Sequence, residues 1–281
     1  MNGQLYRLSA FADQPGGGNP AGVWIGEQLP DAAQMQRMAA DVGYSETAFI
    51  APAAGQDRQI RYFSPLAEVS FCGHATIASG VQLGQLSGPG RYCLHTAVGV
   101  VPVEVFQPNG QWQATLRSVA TRHRYPPAEL LGGVLAALGW HPDQLDPAIA
   151  PAIAYAGAEH LVIALKERAD LDQMTYPFEL LKSLMSDAGL TTLQLIWRES
   201  EGLFHARNPF PVGGVVEDPA TGAAAAALGG YLRDAGLVGA PFAFQIMQGV
   251  AMGRPSRLLV QVPVASGIEV SGGASVIADR D

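Results

Sequence analysis

Short, largely apolar runs of β-prone residues alternate with clusters of polar and turn residues along the first half of the chain. These runs predict β-strands at 5–11, 21–25, 46–51, 59–63, 90–96, 98–106 and 112–116. A helical period replaces this alternation over 29–42, where Met35, Met38, Ala39 and Val42 fall on one face. Asp31 places an acid in the first turn of this predicted helix.

A second series of elements begins after residues 120–127, where the pattern breaks into Arg, His and Pro. Helices are predicted at 128–138 and 177–188, and strands at 149–155, 160–165, 193–199, 203–208, 243–247, 257–262 and 268–271. Because this series repeats the mixture of strands and helices in the first, the sequence predicts two domains of similar architecture.

Two further predicted helices, 77–86 and 222–232, are almost free of charged residues. A helix without a polar face is buried on all sides, so each is expected at the centre of its own domain. The simplest enclosure is a curled sheet around one helix, and the alternative is a buried helix beside an open sheet. Segments before the two helices form a weak repeat, in which Thr76 and Thr221 align as the helix starts.

Composition and charge exclude several classes of protein. The 281 residues are 48% hydrophobic and 15% charged, which excludes a disordered chain. A net charge of -8 argues against nucleic acid or an anionic membrane as a partner. Two cysteines cannot form a disulfide framework, and the start at Met1 lacks a secretion signal, so a cytoplasmic location is expected. No apolar stretch reaches the length of a membrane span.

The two helix starts are the strongest local signal for chemistry. Unpaired backbone N–H groups and the helix dipole attract anions, so two such ends facing one cleft would hold a carboxylate. Gly73 and His74 lie just before the first start, where the imidazole can donate or accept a proton. The alternative is that Thr76 and Thr221 are ordinary N-caps and His74 is a structural histidine.

Three further residues are candidates for proton transfer or binding. Glu46 lies in a β-prone segment and is expected to point to its apolar side, although Ser45-Glu46 ending a helix in solvent is the alternative. Asp218, before the second helix, either caps that helix or orients a substrate. Cys72 is a possible nucleophile, but a small buried residue is the simpler interpretation. Cys72 and His74 are too few for a metal site, so no metal is expected.

These motifs, taken in order along nearly the whole chain, resemble the phenazine-biosynthesis PhzF-like family, which has the diaminopimelate epimerase-like fold. The matching segments are Gly18-Asn19-Pro20-Ala21-Gly22-Val23, Ser45-Glu46-Thr47-Ala48-Phe49, Arg61-Tyr62-Phe63-Ser64-Pro65, Glu68-Val69 with Cys72-Gly73-His74-Ala75-Thr76, Glu217-Asp218-Pro219-Ala220-Thr221-Gly222, and Gln248-Gly249-Val250 with Met252-Gly253-Arg254-Pro255-Ser256. The family motif often continues Thr-Gly-Ser, whereas Ala223 follows Gly222 here, so a hydroxyl commonly placed in the site is missing.

The resemblance implies an α+β protein of two similar domains, each a β-barrel wrapped around a central helix, with the active cleft between them. The last strand, near 268–277, would return to the first domain, which gives domains at 1–118 with 266–281 and at 119–265. The resemblance also implies a homodimer and a reaction without a cofactor.

In the family, the position of Glu46 is the general acid/base, and the positions of Gly73, His74 and Asp218 bind or polarise the substrate. We expect Ala75, Thr76, Thr221 and Gly222, at the two helix starts, to bind the substrate carboxylate. The predicted function is a cofactor-independent isomerase that moves a proton between carbons of a small carboxylate. The alternatives are a racemase or epimerase of an amino or hydroxy acid, and a catalytically silent protein that binds small carboxylates.

Overall fold

The structure is a computed structural model that describes residues 2–12 and 14–278. The outer limits of the predicted first domain, residues 1 and 281, lie outside the described residues. In chain order the elements are β1 (Gly3–Ala10), β2 (Asn19–Gly26), α1 (Ala32–Val42), β3 (Glu46–Pro52), β4 (Arg58–Phe63), β5 (Glu68–Val69), α2 (Gly73–Ser87), β6 (Gly90–Thr96), β7 (Gly99–Phe106), β8 (Gln113–Arg117), β9 (Arg122–Arg124), α3 (Ala128–Leu138), β10 (Ala152–Tyr155), β11 (Glu159–Leu165), α4 (Arg168–Asp172), α5 (Phe178–Asp187), β12 (Thr192–Ser200), β13 (Leu203–Arg207), β14 (Pro209–Phe210), β15 (Val215–Glu217), α6 (Gly222–Asp234), β16 (Phe242–Gln248), β17 (Ser256–Val262) and β18 (Glu269–Val276).

The chain divides into two compact units. Unit 1 extends to Arg117 and also contains the chain from Ser271 onward, and unit 2 is Ser118–Val270. None of the described helices has the length and apolar character that crossing a membrane requires.

Unit 1 is a closed barrel of eight strands around α2. The strands pair in the order β1, β2, β3, β4, β6, β7, β8, β18, and β18 pairs with β1 to close the ring. Every residue of α2 from His74 to Gly84 is buried, as the absence of charge predicted. Glycine permits the close packing, because a Cβ on Gly80 would lie 2.8 Å from the Ala114 Cβ.

Unit 2 places α6 against a seven-stranded sheet. Its strands pair in the order β17, β16, β13, β12, β11, β10, β9, and α6 contacts β9, β10, β11 and β17. Residues Ala224 to Leu232 of α6 are buried. A second core lies under α3 and α5, where Leu135, Leu181 and Leu193 belong to one cluster of buried side chains. Each unit therefore encloses one helix that lacks a broad polar face.

Two local details differ from the sequence prediction. Asp31 is the N-cap of α1 and does not lie in its first turn; its side chain accepts a hydrogen bond of 2.8 Å from the Gln34 N–H. The segment 120–127, predicted to be irregular, contains β9, which pairs with β10. The side chains of Arg122 and Arg124 both contact Glu159, and His123 between them packs against Tyr231 of α6.

The buried His160 on β11 makes unit 2 sensitive to acid. Its Nδ1 lies 2.8 Å from the Thr192 Oγ1, and its Nε2 has no hydrogen-bond partner among the described residues. Burial lowers the pKa of His160 from 6.5 to about 3. Between these values the unfolded chain binds more protons than the folded one, so stability falls as the pH falls below 6.5.

We expect the His160→Asn variant to lose this dependence. In the wild type the free energy of unfolding should fall by up to about 1.4 kcal/mol per pH unit below the unfolded-state pKa, and the variant should show a flatter profile. Urea denaturation between about pH 4 and pH 7 measures both slopes. The control is His141→Asn, because the His141 side chain is 74% exposed. Equal slopes in wild type and His160→Asn would contradict the prediction.

Candidate active site

Glu46, His74 and Cys72 form a compact cluster in unit 1. The His74 Nε2 lies 3.4 Å from the Glu46 Oε2, and the His74 Nδ1 lies 3.4 Å from the Cys72 Sγ. The hydroxyl of Ser45 also lies 3.4 Å from the His74 Nε2. Cys72 and His74 are each 8% exposed, whereas the Glu46 side chain is 22% exposed. The cluster therefore joins a sheltered imidazole to a carboxylate that solvent or a ligand can reach.

Local structure positions Glu46 as the first residue of β3. Helix α1 ends at Val42, and Gly43 reverses the chain in the left-handed conformation, with φ 70°. Parallel pairing of β3 with β2 then sets Glu46 opposite Ala21. Ala48 and Ile50, two and four residues further along the strand, are fully buried. Glu46 thus projects from a strand, and the alternative that it ends a helix in solvent is wrong.

The start of α2 lies earlier than the sequence predicted. Cys72 is the N-cap and Gly73 and His74 are the first two helical residues, so Thr76 is the fourth residue and not the helix start. The Cys72 side chain makes no capping hydrogen bond to α2. The dipoles of the backbone N–H groups in this first turn favour a nearby negative charge.

Thr76 stabilises this turn from within the core. Its hydroxyl donates a hydrogen bond of 2.6 Å to the Cys72 carbonyl and lies 2.6 Å from the Tyr62 hydroxyl. Burial raises the pKa of Tyr62 well above its ordinary value, so the phenol stays neutral. Thr76 is itself fully buried. The Thr76 hydroxyl thus holds the backbone of the turn that carries His74.

In unit 2, Asp218, Thr221 and Gln248 form a second polar cluster at the start of α6. The Thr221 hydroxyl donates to the Asp218 Oδ2 at 2.6 Å, and the Gln248 side chain bonds both the N–H and the hydroxyl of Thr221. Gly249, at φ +73°, lets the backbone next to Gln248 pack closely against Pro219. A Cβ at this position would lie only 2.7 Å from the Pro219 carbonyl oxygen. The sequence analysis gave Gln248 no role in this cluster, because its contacts with Thr221 form only in the folded chain.

The two helix starts correspond, but in a different register from the predicted repeat. Thr221 is the N-cap of α6, as Cys72 is of α2, so Thr221 matches Cys72 and not Thr76. The Thr221 side chain makes no capping hydrogen bond and Thr76 lies inside α2, so the alternative that these two threonines are ordinary side-chain caps is wrong. Gly222 is the first helical residue, and Ala223 is the second and is half-buried. The serine that the family motif often has in place of Ala223 would therefore put its hydroxyl in the first turn of α6.

Arg207 and Glu217 form a buried ion pair that the sequence analysis did not identify. The Arg207 guanidinium contacts both oxygens of the Glu217 carboxylate, and its Nη1 donates to the carbonyls of residues 171, 172 and 174. The Arg207 side chain is 14% exposed and that of Glu217 is 5% exposed. Because Glu217 directly precedes Asp218, this pair anchors the strand that leads into the second cluster.

Folding also adds a third donor to the two residues that seemed too few for a metal site. Glu46, Cys72 and His74 each offer one ligand atom, and these atoms lie within 4.8 Å of one another. The sequence spacing did not show this arrangement because Glu46 is on β3, distant in sequence from α2. Cys93, the second cysteine, lies on β6 and is not part of the group.

Comparisons with known proteins agree on one family. A family model described as phenazine biosynthesis-like protein matches residues 8–280. The trans-2,3-dihydro-3-hydroxyanthranilate isomerase of Pseudomonas aeruginosa is 31% identical over 97% of this chain and 96% of its own.

Two solved structures share the fold. A Bacillus anthracis phenazine biosynthesis protein of the PhzF family has a TM-score of 0.86 at 22% identity, over 99% of this chain and 98% of its own. A probable proline racemase from Agrobacterium radiobacter has a TM-score of 0.65 at 14% identity, over 99% of this chain and 92% of its own. The predicted fold, α+β and diaminopimelate epimerase-like, is confirmed.

Proposed function

Because this chain belongs to the phenazine biosynthesis-like protein family, we propose that it is an isomerase that moves a proton between two carbons of a small carboxylate-bearing substrate. The observation that carries the proposal is the Glu46 carboxylate, which stands 3.4 Å from the His74 Nε2 in unit 1 and is still partly accessible. A positioned carboxylate beside an imidazole is a suitable general acid/base.

Glu46 acts as the group that takes the proton from carbon and returns it at a second carbon. As the first residue of β3 it is held by a buried strand, so its position is set before a substrate binds. General acid/base help of this kind contributes about 10²–10⁴-fold to the rate. Positioning and electrostatics must supply the remainder.

His74 stabilises the charge that develops during the transfer. Its Nε2 faces Glu46 and Ser45, and its Nδ1 faces Cys72, so both ring nitrogens have a neighbour that fixes the ring. A ring held in this way requires little reorganisation when charge appears on the substrate. The N–H groups of Gly73, His74 and Ala75 in the uncapped first turn of α2 bind a substrate oxygen, and Thr76 maintains that turn.

Asp218, Thr221 and Gly222 of unit 2 are proposed to bind substrate, as the family resemblance implies. Local geometry supports this proposal, since the Thr221 side chain leaves the first turn of α6 uncapped, as Cys72 does at α2, and Asp218 accepts a hydrogen bond from the Thr221 hydroxyl. The family resemblance is the basis for two further proposals, a reaction without a cofactor and a homodimer. The low cysteine content is the basis for a third, a cytoplasmic location. Light scattering during size-exclusion chromatography tests the homodimer.

The test of this function is a screen of the purified protein with small carboxylic acids. The first compound is trans-2,3-dihydro-3-hydroxyanthranilate, the substrate named for the Pseudomonas aeruginosa relative, followed by cyclic and acyclic amino and hydroxy acids. Thermal shift identifies the ligands, since a ligand at 100 times its Kd stabilises the folded state by about 2.7 kcal/mol. Each ligand is then incubated in heavy water, and mass spectrometry follows deuterium on carbon.

The products separate the three candidate functions. We expect deuterium on carbon together with a moved double bond. Deuterium with inverted configuration and no moved bond would identify a racemase or epimerase. Saturable binding with neither exchange nor a moved double bond would identify a silent carboxylate-binding protein, and either of these results would overturn the proposal.

A further inference from the structure

We infer that Glu46, Cys72 and His74 form a binding site for Zn²⁺, and that the bound ion inhibits the enzyme. The three side chains offer a carboxylate oxygen, a thiol sulfur and an imidazole nitrogen, all within 4.8 Å of one another. Thiolate and imidazole together favour zinc over the harder ions magnesium and calcium. The binding part of the inference stands on this geometry alone, whereas the inhibition rests on the proposed function.

The distances between donors already approach those of a zinc site. In a tetrahedral site with Zn–S of about 2.3 Å and Zn–N and Zn–O of about 2.0 to 2.1 Å, nitrogen lies roughly 3.6 Å from sulfur and roughly 3.3 Å from oxygen. Here the His74 Nε2 lies 3.4 Å from the Glu46 Oε2 and 3.9 Å from the Cys72 Sγ, and that sulfur lies 3.4 Å from Nδ1. Coordination through Nε2 therefore requires the Cys72 and His74 side chains to rotate so that the sulfur moves from the Nδ1 side of the ring toward Nε2.

The elements that carry the donors hold them in place before the ion arrives. Cys72 and His74 are the N-cap and the second residue of α2, which the barrel encloses, and Glu46 begins β3. Each ligand is therefore fixed at its backbone, which reduces the entropy lost on binding. With the thiol proton released to solvent, thiolate and carboxylate supply two negative charges that balance the ion.

Three protein ligands leave the fourth position of the ion for water or another small ligand. Glu46, once coordinated, cannot accept a proton from substrate, and His74 cannot face the developing charge. Zinc therefore competes with the proposed reaction at the same atoms. We expect turnover to fall when Zn²⁺ is added and to return when a chelator removes it.

Cobalt titration tests the site without any need for a substrate. Co²⁺ added to the chelator-treated protein should bind at a ratio of one to one, with near-ultraviolet thiolate-to-cobalt absorption that Zn²⁺ abolishes. Cys72→Ser should remove this absorption and weaken zinc binding by at least about 100-fold, since even outer-shell changes cost about 10 to 100-fold. Cys93→Ser is the matched control and should keep both.

A second measurement uses the wild-type protein, so it does not depend on the folding of a variant. Zn²⁺ should slow the alkylation of Cys72 by iodoacetamide, followed by peptide mass spectrometry, and leave the rate at Cys93 unchanged. Absence of thiolate-to-cobalt absorption in the wild type, its persistence in Cys72→Ser, or equal alkylation of Cys72 with and without zinc would each overturn the site.

The failure of this inference and that of the proposed function can be told apart. Cobalt absorption in a protein that exchanges no carbon-bound proton would retain the metal site and reject the isomerase. Turnover in a protein without that absorption would retain the isomerase and reject the metal site. Turnover together with cobalt absorption, but without inhibition by zinc, would reject only the competition at Glu46.

Discussion

Replacing Glu46 with Gln is expected to lower turnover by about 10²–10⁴-fold and to remove solvent deuterium from the product. The amide keeps the size of the carboxylate and one of its two acceptor oxygens, but it cannot take a proton from carbon at neutral pH. Because Glu46 is the first residue of β3 and 22% of its side chain is exposed, the change should leave the barrel intact. Mass spectrometry after incubation in heavy water measures exchange, and thermal shift measures ligand binding.

The control for this variant is Glu104→Gln. Glu104 lies on β7, its side chain is 57% exposed, and it pairs with Arg91 at 3.6 Å, away from the cluster. We expect this control to keep full turnover. Deuterium incorporation by Glu46→Gln at the wild-type rate would show that another group is the base.

The largest expected loss of stability comes from Arg207→Met. This change leaves the buried Glu217 carboxylate without its partner and removes the donor from three backbone carbonyls. Breaking a buried ion pair on one side costs about 3–5 kcal/mol, because the remaining charge stays desolvated. Urea denaturation followed by circular dichroism measures the change in the free energy of unfolding.

Two further variants identify the cause of that loss. Adding Glu217→Gln to Arg207→Met removes the stranded charge and should recover part of the stability. Arg168→Met is the exposed control: Arg168 pairs with Asp172 at 3.3 Å with 40% of its side chain accessible, and its loss should cost less than about 1 kcal/mol. An equal cost for Arg168→Met and Arg207→Met would show that burial of the pair is not the cause.

Elements with a strong periodic pattern could be predicted from the sequence. The helix at 128–138 and the strand at 90–96 have the predicted bounds, because Pro127 and Gly139 flank the helix and turn residues lie on both sides of the strand. The enclosure of α2 and α6 also followed from their lack of charge. In these segments local propensity and tertiary burial favour the same structure.

The start of α2 shows where local rules fail. Thr76 is a preferred capping residue and Cys72 is not, so the sequence favoured Thr76 as the start. In the fold, contacts with Tyr62 and with the Cys72 carbonyl use the Thr76 hydroxyl inside the helix. The contact with Tyr62 is tertiary and leaves no local signal, whereas the bond to the Cys72 carbonyl is local; with both made, the helix begins one turn before Thr76.

Long-range pairs were the other part that the sequence did not reveal. Arg207 and Glu217 are ten residues apart on β13 and β15, and two arginines of β9 form ion pairs with Glu159. Glu46 was a candidate from its segment alone, but its distance from His74 required the folded barrel. Charges that meet only after chain reversal leave no periodic signal.

The eighth barrel strand, β18, comes from the end of the chain, and this has a consequence for folding during synthesis. On the ribosome, β1 to β8 emerge long before β18, whereas all of residues 118–270 precede most of that strand. Nascent unit 1 therefore keeps two unpaired edges, on β1 and β8, while unit 2 finishes folding. Unpaired strand edges favour aggregation, so unit 1 is most prone to aggregate in the interval before β18 leaves the exit tunnel.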